Sequence, residues 1–443
     1  MRILITGLIL LTWLLLASCD PLKDSVDGNL ETDFAGLEVF DGSIIHAVEL
    51  FLSEDEWQAI INEAEAYENV NPIRPYYHAK LRFDGKTLDD DVGIRLKGNI
   101  SIKLSEGHSF PLKLDFNRYT EKQTLDGLKK LNLNNNFNGP SLPIMRDYIS
   151  YNAWREFGVA ASRTSLAHVI INQENVGVYV LLEEVDGDFI KRHFSEPYGD
   201  LYKPEQISGT LEYRGSNISD YPDIGHEWPD ESDHTSLLKA LKVLSSGQLS
   251  DIEEVFDIEG ILTYLAGNVA LGSGDYYPTT GHNYYLYEEL PGCFNMLPWD
   301  MNGSQEPMIP TLCSPINGFL SRKLLEDPVN EAKYFEILTK FLMTAGSVGQ
   351  LTIRLNAAKS LLGSEIPTEK FEGLRQDIVT RVNRLKSEIG STTNCLGTSI
   401  SVIPDCLLKR GIEMESFFRS YGVHSEYPVQ KNRLKSLILS GCE

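Results

Sequence analysis

Basic residues are scarce in this sequence relative to acidic ones. The 443 residues include 40 Lys and Arg but 63 Asp and Glu, which gives a formal net charge of -23. Because nucleic-acid-binding proteins rely on basic patches that release counterions from phosphates, this balance argues against a nucleic-acid partner. It equally disfavours electrostatic attachment of a peripheral domain to anionic lipid. The acidity is typical of a globular chain whose charge maintains its solubility.

Several features that would assign a function directly are also missing. The sequence has no Cys/His spacing typical of a zinc site, no repeat at the period of solenoid proteins and no low-complexity tract. Hydrophobic residues make up 42% and charged residues 23% of the chain, which is a globular composition. At this length we expect two or three domains, or one large enzyme core with additions.

The N-terminus has the features of a targeting segment. An apolar run over residues 3–16 follows Arg2 and is too short for a comfortable transmembrane span. A positive residue followed by a short apolar region and small residues is the order found in secretory signals. The small residues Ala17 and Ser18 precede Cys19, an arrangement that resembles a bacterial lipoprotein box.

We therefore predict a signal peptide over residues 1–18, a lipid on Cys19 and a polar tether over residues 19–38. The protein would be exported and held to a bacterial membrane through this N-terminal lipid, facing away from the cytoplasm. The alternative is an ordinary signal peptide, or an uncleaved anchor, with an incidental cysteine.

Five further cysteines offer disulfides, since export makes these bonds available. Pairing of Cys395 with Cys406 would close a small loop, and pairing of Cys293 with Cys313 would brace a later loop. Cys442 makes the count odd, so at least one cysteine stays free or pairs elsewhere. The spacing does not choose between these pairings.

The first half of the chain reads as strands that carry basic residues. Alternating apolar and polar residues predict strands over residues 77–83, 92–99 and 110–116, and these contain Arg95, Lys97 and Lys113. Kinases use a lysine on such a strand to hold nucleotide phosphates. Surface strands also carry lysine on their solvent face, and each lysine taken alone favours that simpler interpretation.

Two more charged residues end strands further along. The apolar segment 177–184 predicts a buried strand that ends in Glu183, a carboxylate that needs a lysine or a metal as partner unless it lies at a solvated edge. A short strand over residues 199–204 carries Lys203. Helical patterns dominate after residue 235, which favours a largely helical second half.

The most informative stretch runs from Ser273 to Asn302. Asp275 precedes Asn283, which begins an aromatic strand, and a second strand leads into Pro298-Trp299-Asp300. Two carboxylates and an amide thus flank a predicted hairpin. Hard oxygen ligands of this kind suit Mg²⁺ or Mn²⁺ held together with substrate phosphates. In protein kinases an Asp receives the acceptor proton while an Asn and a strand-end Asp hold the metals.

Several segments now coincide in an order that resembles the CotH kinase family, the spore-coat-H-like secretory-pathway kinases. The resemblance covers roughly residues 39–302, and the ordered set is more specific than any one motif. The segments are Arg95-Leu96-Lys97-Gly98-Asn99-Ile100-Ser101, Phe110-Pro111-Leu112-Lys113-Leu114-Asp115, Leu131-Asn132-Leu133-Asn134-Asn135-Asn136, Met145-Arg146, Gly177-Val178-Tyr179 through Glu183, Leu201-Tyr202-Lys203, Asp275, Asn283-Tyr284-Tyr285-Leu286-Tyr287 and Pro298-Trp299-Asp300.

The resemblance implies an α+β, atypical protein-kinase-like fold with two lobes, an antiparallel N-lobe sheet and a largely helical C-lobe. It implies a kinase domain over residues 39–390 and leaves residues 391–443 as a C-terminal extension. ATP with Mg²⁺ or Mn²⁺ would bind between the lobes.

The same resemblance implies a role for each residue of the set. Asp275 would be the catalytic Asp, and Asn283 and Asp300 the metal ligands. The nucleotide-binding residues would be Arg95, Lys97, Lys113, Glu183 and Lys203. Lys113 is preferred over Lys97 as the lysine that holds the phosphates.

Two departures from the family pattern bear on activity. Asn302 stands where the family often has a second Asp, and no Gly-rich nucleotide loop is evident. The resemblance implies a kinase that phosphorylates a hydroxyl group, Ser or Thr of an exported protein. The alternative is a catalytically weak or inactive kinase-fold lipoprotein that acts as a surface binding module.

Overall fold

The computed structural model describes residues 35–66, 74–98, 100–135, 143–195, 197–205, 208–391 and 395. The predicted signal peptide, the lipidation site Cys19, most of the tether and nearly all of the C-terminal extension lie outside the described residues. Those assignments stay predictions. Within the described ranges, none of the helices combines the length and apolarity needed to cross a bilayer.

The N-terminal half is a closed barrel. Its strands are β1 (Ile45–Phe51), β2 (Tyr77–Phe83), β3 (Lys86–Thr87), β4 (Val92–Leu96), β5 (Leu112–Asp115), β6 (Lys130–Asn134), β7 (Thr164–Ile171) and β8 (Glu174–Glu183). The strand order is β1-β7-β8-β6-β5-β4-β2, and β2 pairs back with β1, so that seven strands close on themselves while β3 extends β2.

The closed barrel corrects the expectation of a simple antiparallel N-lobe sheet. Strands β1 and β7 pair in parallel, with Val48 opposite Val169, whereas the other pairs are antiparallel. Sequence alternation indicates strands and their buried faces but not which distant strands pair. The closure joins β1 to strands on both of its sides and leaves it no free edge.

Alternation along each strand gives the barrel two chemically different faces. Leu112 and Leu114 point into a fully buried apolar interior. Lys113 lies between them and points outward, and its cross-strand neighbours Arg95 and Asn132 share that outer face. The outer wall formed by β4, β5, β6 and β8 is therefore polar at its centre. We call it the polar wall.

Helices and a second, smaller sheet form the rest of the chain. The helices are α1 (Glu54–Glu65), α2 (Ile100–Lys103), α3 (Pro143–Phe157), α4 (Gly187–His193), α5 (Thr235–Ser246), α6 (Leu249–Ile252), α7 (Ile258–Leu271), α8 (Tyr277–Thr280), α9 (Phe319–Leu325), α10 (Pro328–Met343), α11 (Val348–Leu362) and α12 (Thr368–Gly390). The sheet has the order β10-β9-β11-β12, from β9 (Leu201–Pro204), β10 (Ile224–Trp228), β11 (Tyr284–Leu290) and β12 (Cys293–Pro298).

This second half has its own core, which also includes α3 and the apolar residues of the barrel's outer face. Trp154 of α3 is fully buried and packs edge-on against Phe341 of α10, with ring centroids 5.3 Å apart. Val180 and Leu182 of β8 belong to the same core. The mixed helix and strand content expected from the sequence is confirmed, and helices do dominate after residue 235.

One disulfide among the described residues joins Cys313 to Cys395, with their Cα atoms 5.2 Å apart. Both pairings considered from the sequence are therefore wrong, because Cys313 does not pair with Cys293, and Cys395 does not pair with Cys406. The physical reason is tertiary: α12 returns the chain end to the loop after β12, across a sequence separation of 82 residues. Cys293 is also disulfide-bonded.

Candidate active site

The centre of the polar wall is a nearly buried ion pair between Lys113 and Glu184. Lys113 Nζ lies 2.6 Å from Glu184 Oε1, and the two side chains are only 12% and 7% exposed. Asn132 Nδ2 donates to the other carboxylate oxygen at 2.6 Å. Burial alone would raise the pKa of Glu184, but Lys113, Asn132 and Lys130 together lower this pKa to about 2. Glu184 is thus held as a carboxylate that orients the Lys113 ammonium.

The family resemblance predicts a place in the nucleotide site for Glu183, the preceding residue. The structure instead places Glu183 in a buried cluster with Arg163 and Arg192, at 2.7 and 2.6 Å from their guanidinium nitrogens. Neighbouring residues of a strand point to opposite sides, so only one of two consecutive glutamates can face the polar wall. Glu183 therefore pairs with Arg163 and Arg192, and Glu184 is the carboxylate that pairs with Lys113.

Lys97 and Lys203 both lie over the ring of Trp299, the residue before Asp300. Their Nζ atoms are 5.3 and 6.0 Å from the ring centroid. Lys97 also donates to Asn134 Oδ1 at 2.6 Å, and Lys203 pairs with Glu205 at 3.0 Å. Burial lowers the pKa of Lys97 to about 8, although Asp300, Glu184 and Asp147 oppose this change. The structure brings these two lysines together beside the Asp300 loop.

Asp147 is a functional candidate that the sequence analysis missed. It lies on α3, is buried, and accepts a hydrogen bond from Asn134 Nδ2 at 2.9 Å. Burial and the neighbouring Asp300 carboxylate raise its pKa to about 7, against the effects of Asn134 and Lys97. Its Oδ1 atom is buried and has no hydrogen-bond partner among the described residues. The only sequence feature that pointed toward Asp147 was its position directly after Met145-Arg146, one of the segments that resemble the family.

Asp300 lies at the end of β12, where the backbone enters the left-handed region with φ of 51°. Burial raises the pKa of Asp300, and the Asp275 carboxylate adds to this rise, while Lys97 and Lys203 lower it. Asp300 therefore lies within electrostatic reach of both other carboxylates and both lysines. The three carboxylates come from three different parts of the fold.

Asp275 and Asn283 are linked through the loop that carries them. Asn283 Nδ2 donates to the Asp275 carbonyl oxygen at 2.9 Å, and Asn283 adopts a left-handed φ of 64°. The Asp275 side chain is 51% exposed, and its Oδ1 atom lies 3.5 Å from His282 Nε2. Tyr284 pairs with Pro298, so Asn283 and Asp300 lie at the same end of the β11–β12 hairpin. Asp275 is the accessible member of the group.

Arg95 is the last of the predicted nucleotide-binding residues, and it lies at the edge of the candidate site. It is the cross-strand neighbour of Lys113, but its guanidinium carbon lies 5.2 Å from the centroid of the Tyr76 ring. Its Nε atom is buried and has no hydrogen-bond partner in the described part of the chain. The register places Arg95 on the polar wall without a contact to the carboxylates.

The donor set fits a divalent cation shared with phosphates. Among the described residues there is no cluster of three or more His, Cys, Asp or Glu side chains arranged to hold a metal alone. Mg²⁺ normally needs only one or two carboxylates because phosphate oxygens and water complete its shell. The unpaired Asp147 oxygen, the rise in the Asp147 pKa beside Asp300 and the rise in the Asp300 pKa beside Asp275 indicate negative charge that nearby lysines do not fully balance.

A polar cavity of about 490 Å³ is lined by residues that include Lys130 and Asp186 but not Lys113, Glu184 or the three aspartates of the candidate site. Lys130 lowers the pKa of Glu184, and Glu184 in turn raises the pKa of Asp186. Trp228 forms part of the wall and packs against Gly187, where an added Cβ would lie 2.4 Å from the indole ring. The volume is in the range of small-molecule sites.

Comparisons with known proteins identify the family of the chain. The model of a protein family described as CotH kinase protein matches residues 94–390. The chain is similar to the inner spore coat protein H of Bacillus subtilis (strain 168), at 25% identity over 242 residues. That alignment covers 51% of this chain and 61% of the relative, so the chain spans about three fifths of the curated relative it matches.

A solved structure was also found, that of the Helicobacter pylori proinflammatory kinase CtkA. It aligns over 70% of this chain and 95% of its own length, at 11% sequence identity and a TM-score of 0.27. A score at this level carries no argument about the fold.

The raised pKa of Asp147 predicts a pH dependence of stability in the nucleotide-free protein. Its carboxyl is protonated in the folded state up to about pH 7 but in the unfolded state only up to about pH 4. The folded state therefore binds the extra proton between these values, and its contribution to the free energy of unfolding falls as pH rises through this window. Asp147→Asn removes this contribution.

We expect the variant to gain stability relative to the wild type as pH rises from about 4 to about 7, since the asparagine never ionises. Urea denaturation at several pH values measures the difference, with metal chelated throughout. Parallel stability curves for the two proteins would contradict the assignment of Asp147 as an uncompensated carboxylate.

Proposed function

The chain belongs to the CotH kinase protein family, and on that premise we propose that it is an atypical kinase. It transfers phosphate from metal-bound ATP to a hydroxyl group, Ser or Thr of an exported protein. The observation that supports this proposal most is the convergence of Asp147, Asp275 and Asp300 on a wall that carries lysines. Anionic phosphates and a cation together match such a surface.

The lysines bind and orient the nucleotide phosphates. Lys113 is fixed by Glu184, as the corresponding lysine and glutamate of protein kinases fix each other. Lys97 and Lys203 flank Asp300 over the Trp299 ring and add positive charge where negative charge accumulates during transfer. Asp300 and Asn283 would hold Mg²⁺ or Mn²⁺, with Asp147 behind them. When bound, the cation supplies neutralisation of phosphate charge.

Asp275 would receive the proton of the acceptor. Its side chain is half exposed, so a hydroxyl on another protein can reach it. The acceptor oxygen forms a bond to the γ-phosphorus, the bond from that phosphorus to the bridging oxygen breaks, and ADP leaves. The hydroxyl proton passes to the Asp275 carboxylate. His282, at 3.5 Å, limits the directions from which the acceptor approaches Asp275.

The structure also bears on the inactive alternative. The neutral Asn302 would remove one metal carboxylate from the family pattern, which favours a surface binding module. Asp147 brings a second carboxylate to Asp300 from α3 and can compensate for this loss. We therefore prefer the active kinase.

Export and lipid attachment at Cys19 belong to the same proposal. The disulfide between Cys313 and Cys395 supports an oxidising compartment. The kinase would then act on exported proteins from a membrane-tethered position, and its substrate and nucleotide would both have to be present on that side of the membrane.

The roles of Asp275 and Asp300 are tested by separating binding from transfer. We expect Asp275→Ala to bind Mn²⁺-ATP with wild-type affinity but to lose transfer by about a hundredfold or more, because it loses only the proton acceptor. Asp300→Ala should lose metal-dependent nucleotide binding itself. Calorimetry and transfer of labelled phosphate to casein or to the protein itself measure the two steps. Absence of nucleotide binding in the folded wild-type chain would refute the kinase proposal.

The two consecutive glutamates provide a matched pair of variants. Glu184→Gln removes the charge that holds Lys113, so we expect ATP affinity to fall by about tenfold. Glu183→Gln weakens a buried ion cluster away from Lys113, so it should lower the free energy of unfolding by about 3 kcal/mol while affinity stays close to wild type. Affinity measured by calorimetry and stability measured in urea separate the two effects. Loss of affinity in the Glu183 variant alone would show that the original assignment of Glu183 was right.

A further inference from the structure

A buried polar network lies behind the three carboxylates and centres on Gln305. This side chain is fully buried. Its Nε2 atom donates to Ser150 Oγ at 2.7 Å, and its Oε1 atom accepts from Arg381 Nη2 at 2.5 Å. Its backbone amide donates to the Leu271 carbonyl at 2.6 Å. One residue thus contacts α3, α12 and the end of α7.

The contacts to Ser150 and Leu271, and the chain position of Gln305 itself, each lead to one carboxylate of the candidate site. Ser150 lies one helical turn after Asp147 on α3. Leu271 ends α7, and the chain reaches Asp275 a few residues later. Gln305 itself follows Asp300 after one short turn. The three segments that present Asp147, Asp275 and Asp300 therefore meet at a single buried residue, through its side-chain amide and its backbone amide.

Further hydrogen bonds close the network around Gln305. The hydroxyl groups of Ser150 and Ser304 lie 2.7 Å apart, and both residues are fully buried. Arg381 Nε donates to the Ala270 carbonyl at 3.0 Å, which links α12 directly to the end of α7. The Glu306 amide donates to the Gly272 carbonyl at 3.1 Å.

Two features of the network lower the stability of the fold, so stability does not explain their presence. Arg381 is a fully buried guanidinium whose Nη1 atom has no hydrogen-bond partner among the described residues, and burial lowers its pKa to about 9. Gln305 has a left-handed φ of 65°, which a residue with a side chain adopts only under constraint. Apolar side chains of similar volume would fill such a space with less desolvation. Unfavourable local features of this kind concentrate at functional sites.

Repulsion among the carboxylates explains why a network that holds their segments in place would be needed. Without phosphates and cation, Asp147, Asp275 and Asp300 repel one another and would move apart if their segments were independent. A metal and two reacting groups require positions that are accurate to a fraction of an ångström. A clamp that is remote from the ligands can maintain this geometry in the empty site.

We propose that Gln305, held by Arg381, is a positioning residue that fixes the relative placement of Asp147, Asp275 and Asp300. This inference rests on the proposed kinase function for its catalytic consequence. Gln305 touches neither nucleotide nor metal in this account. It acts through the backbone and helix segments that carry the three carboxylates.

The test compares Gln305→Met with Gln305→Glu in the full chain. Methionine has a similar size but breaks the bonds to Ser150 and Arg381. Glutamate can still accept from Arg381 and from the Ser150 hydroxyl, so it serves as the conservative rescue. Tyr179→Phe is the control, because it removes one buried hydrogen bond, from Tyr179 Oη to the Phe110 carbonyl at 2.9 Å, inside the barrel and away from the carboxylates.

We expect Gln305→Met to lower kcat by about tenfold or more and to weaken binding of Mn²⁺ alone by about tenfold, with KM for ATP changed by less than about threefold. Gln305→Glu and Tyr179→Phe should stay within about threefold of wild type in all three quantities. The inference is overturned if the methionine variant retains kcat and Mn²⁺ affinity, or if the glutamate variant loses them to the same extent.

Hydrogen exchange distinguishes failure of this inference from failure of the kinase proposal. We expect Gln305→Met to increase amide exchange together in residues 145–151, 268–276 and 300–306, whereas Tyr179→Phe leaves these segments protected. If exchange rises only around residue 305, the positioning role is wrong whatever the activity. If the wild type neither binds Mn²⁺-ATP nor transfers phosphate, the kinase proposal fails, and the exchange pattern still decides whether Gln305 joins the three segments.

Discussion

The crowding of like charges at Asp147, Asp275 and Asp300 is the constraint on which the rest of the structure depends. Burial raises the pKa values of Asp147 and Asp300, Asp300 adds to the rise of Asp147 and Asp275 to that of Asp300, and the nearby lysines offset only part of these rises. A protein that keeps carboxylates so close maintains a local electrostatic cost of folding. In the proposed function, phosphates with a divalent cation would relieve this cost.

Both halves of the molecule supply parts of this arrangement. The barrel contributes the polar wall, where Lys113 is fixed by Glu184 and Asn132. Closure of the barrel makes the wall a rigid surface, because each of its strands is paired on both sides. The helical half contributes the carboxylates, and α12 holds their loops from behind through Arg381. Catalytic precision would therefore depend on a helix distant in sequence from every reacting group.

Much of the wall and of the site could be predicted because short-range patterns encode them. Strand alternation located Lys113, and the hairpin signal brought Asn283 and Asp300 to the same end of two strands. The sequence analysis named Glu183 and did not consider Glu184, because two adjacent carboxylates at a strand end differ only in the face that they occupy. That difference depends on Arg163 and Arg192, which no local pattern places beside Glu183.

Features that depend on contacts between distant segments could not be predicted from the sequence, because no local pattern encodes such contacts. Asp147 and Gln305 become functional candidates only when α3 packs beside the loop after Asp300. Parallel pairing of β1 with β7 and the bond between Cys313 and Cys395 also join segments that are distant in the chain. Local propensity does not report such contacts, since they depend on the packing of the complete fold.

The most direct test of the account is a crystal structure with Mn²⁺ and a non-hydrolysable ATP analogue, with the metal located by its anomalous scattering. We predict one manganese peak within about 2.5 Å of oxygen atoms from Asp300 and Asn283, and phosphates in contact with Lys113 and Lys97. A nucleotide bound away from the polar wall, or a manganese ion that avoids Asp300, would contradict the central claim that these charges form one phosphate-transfer site.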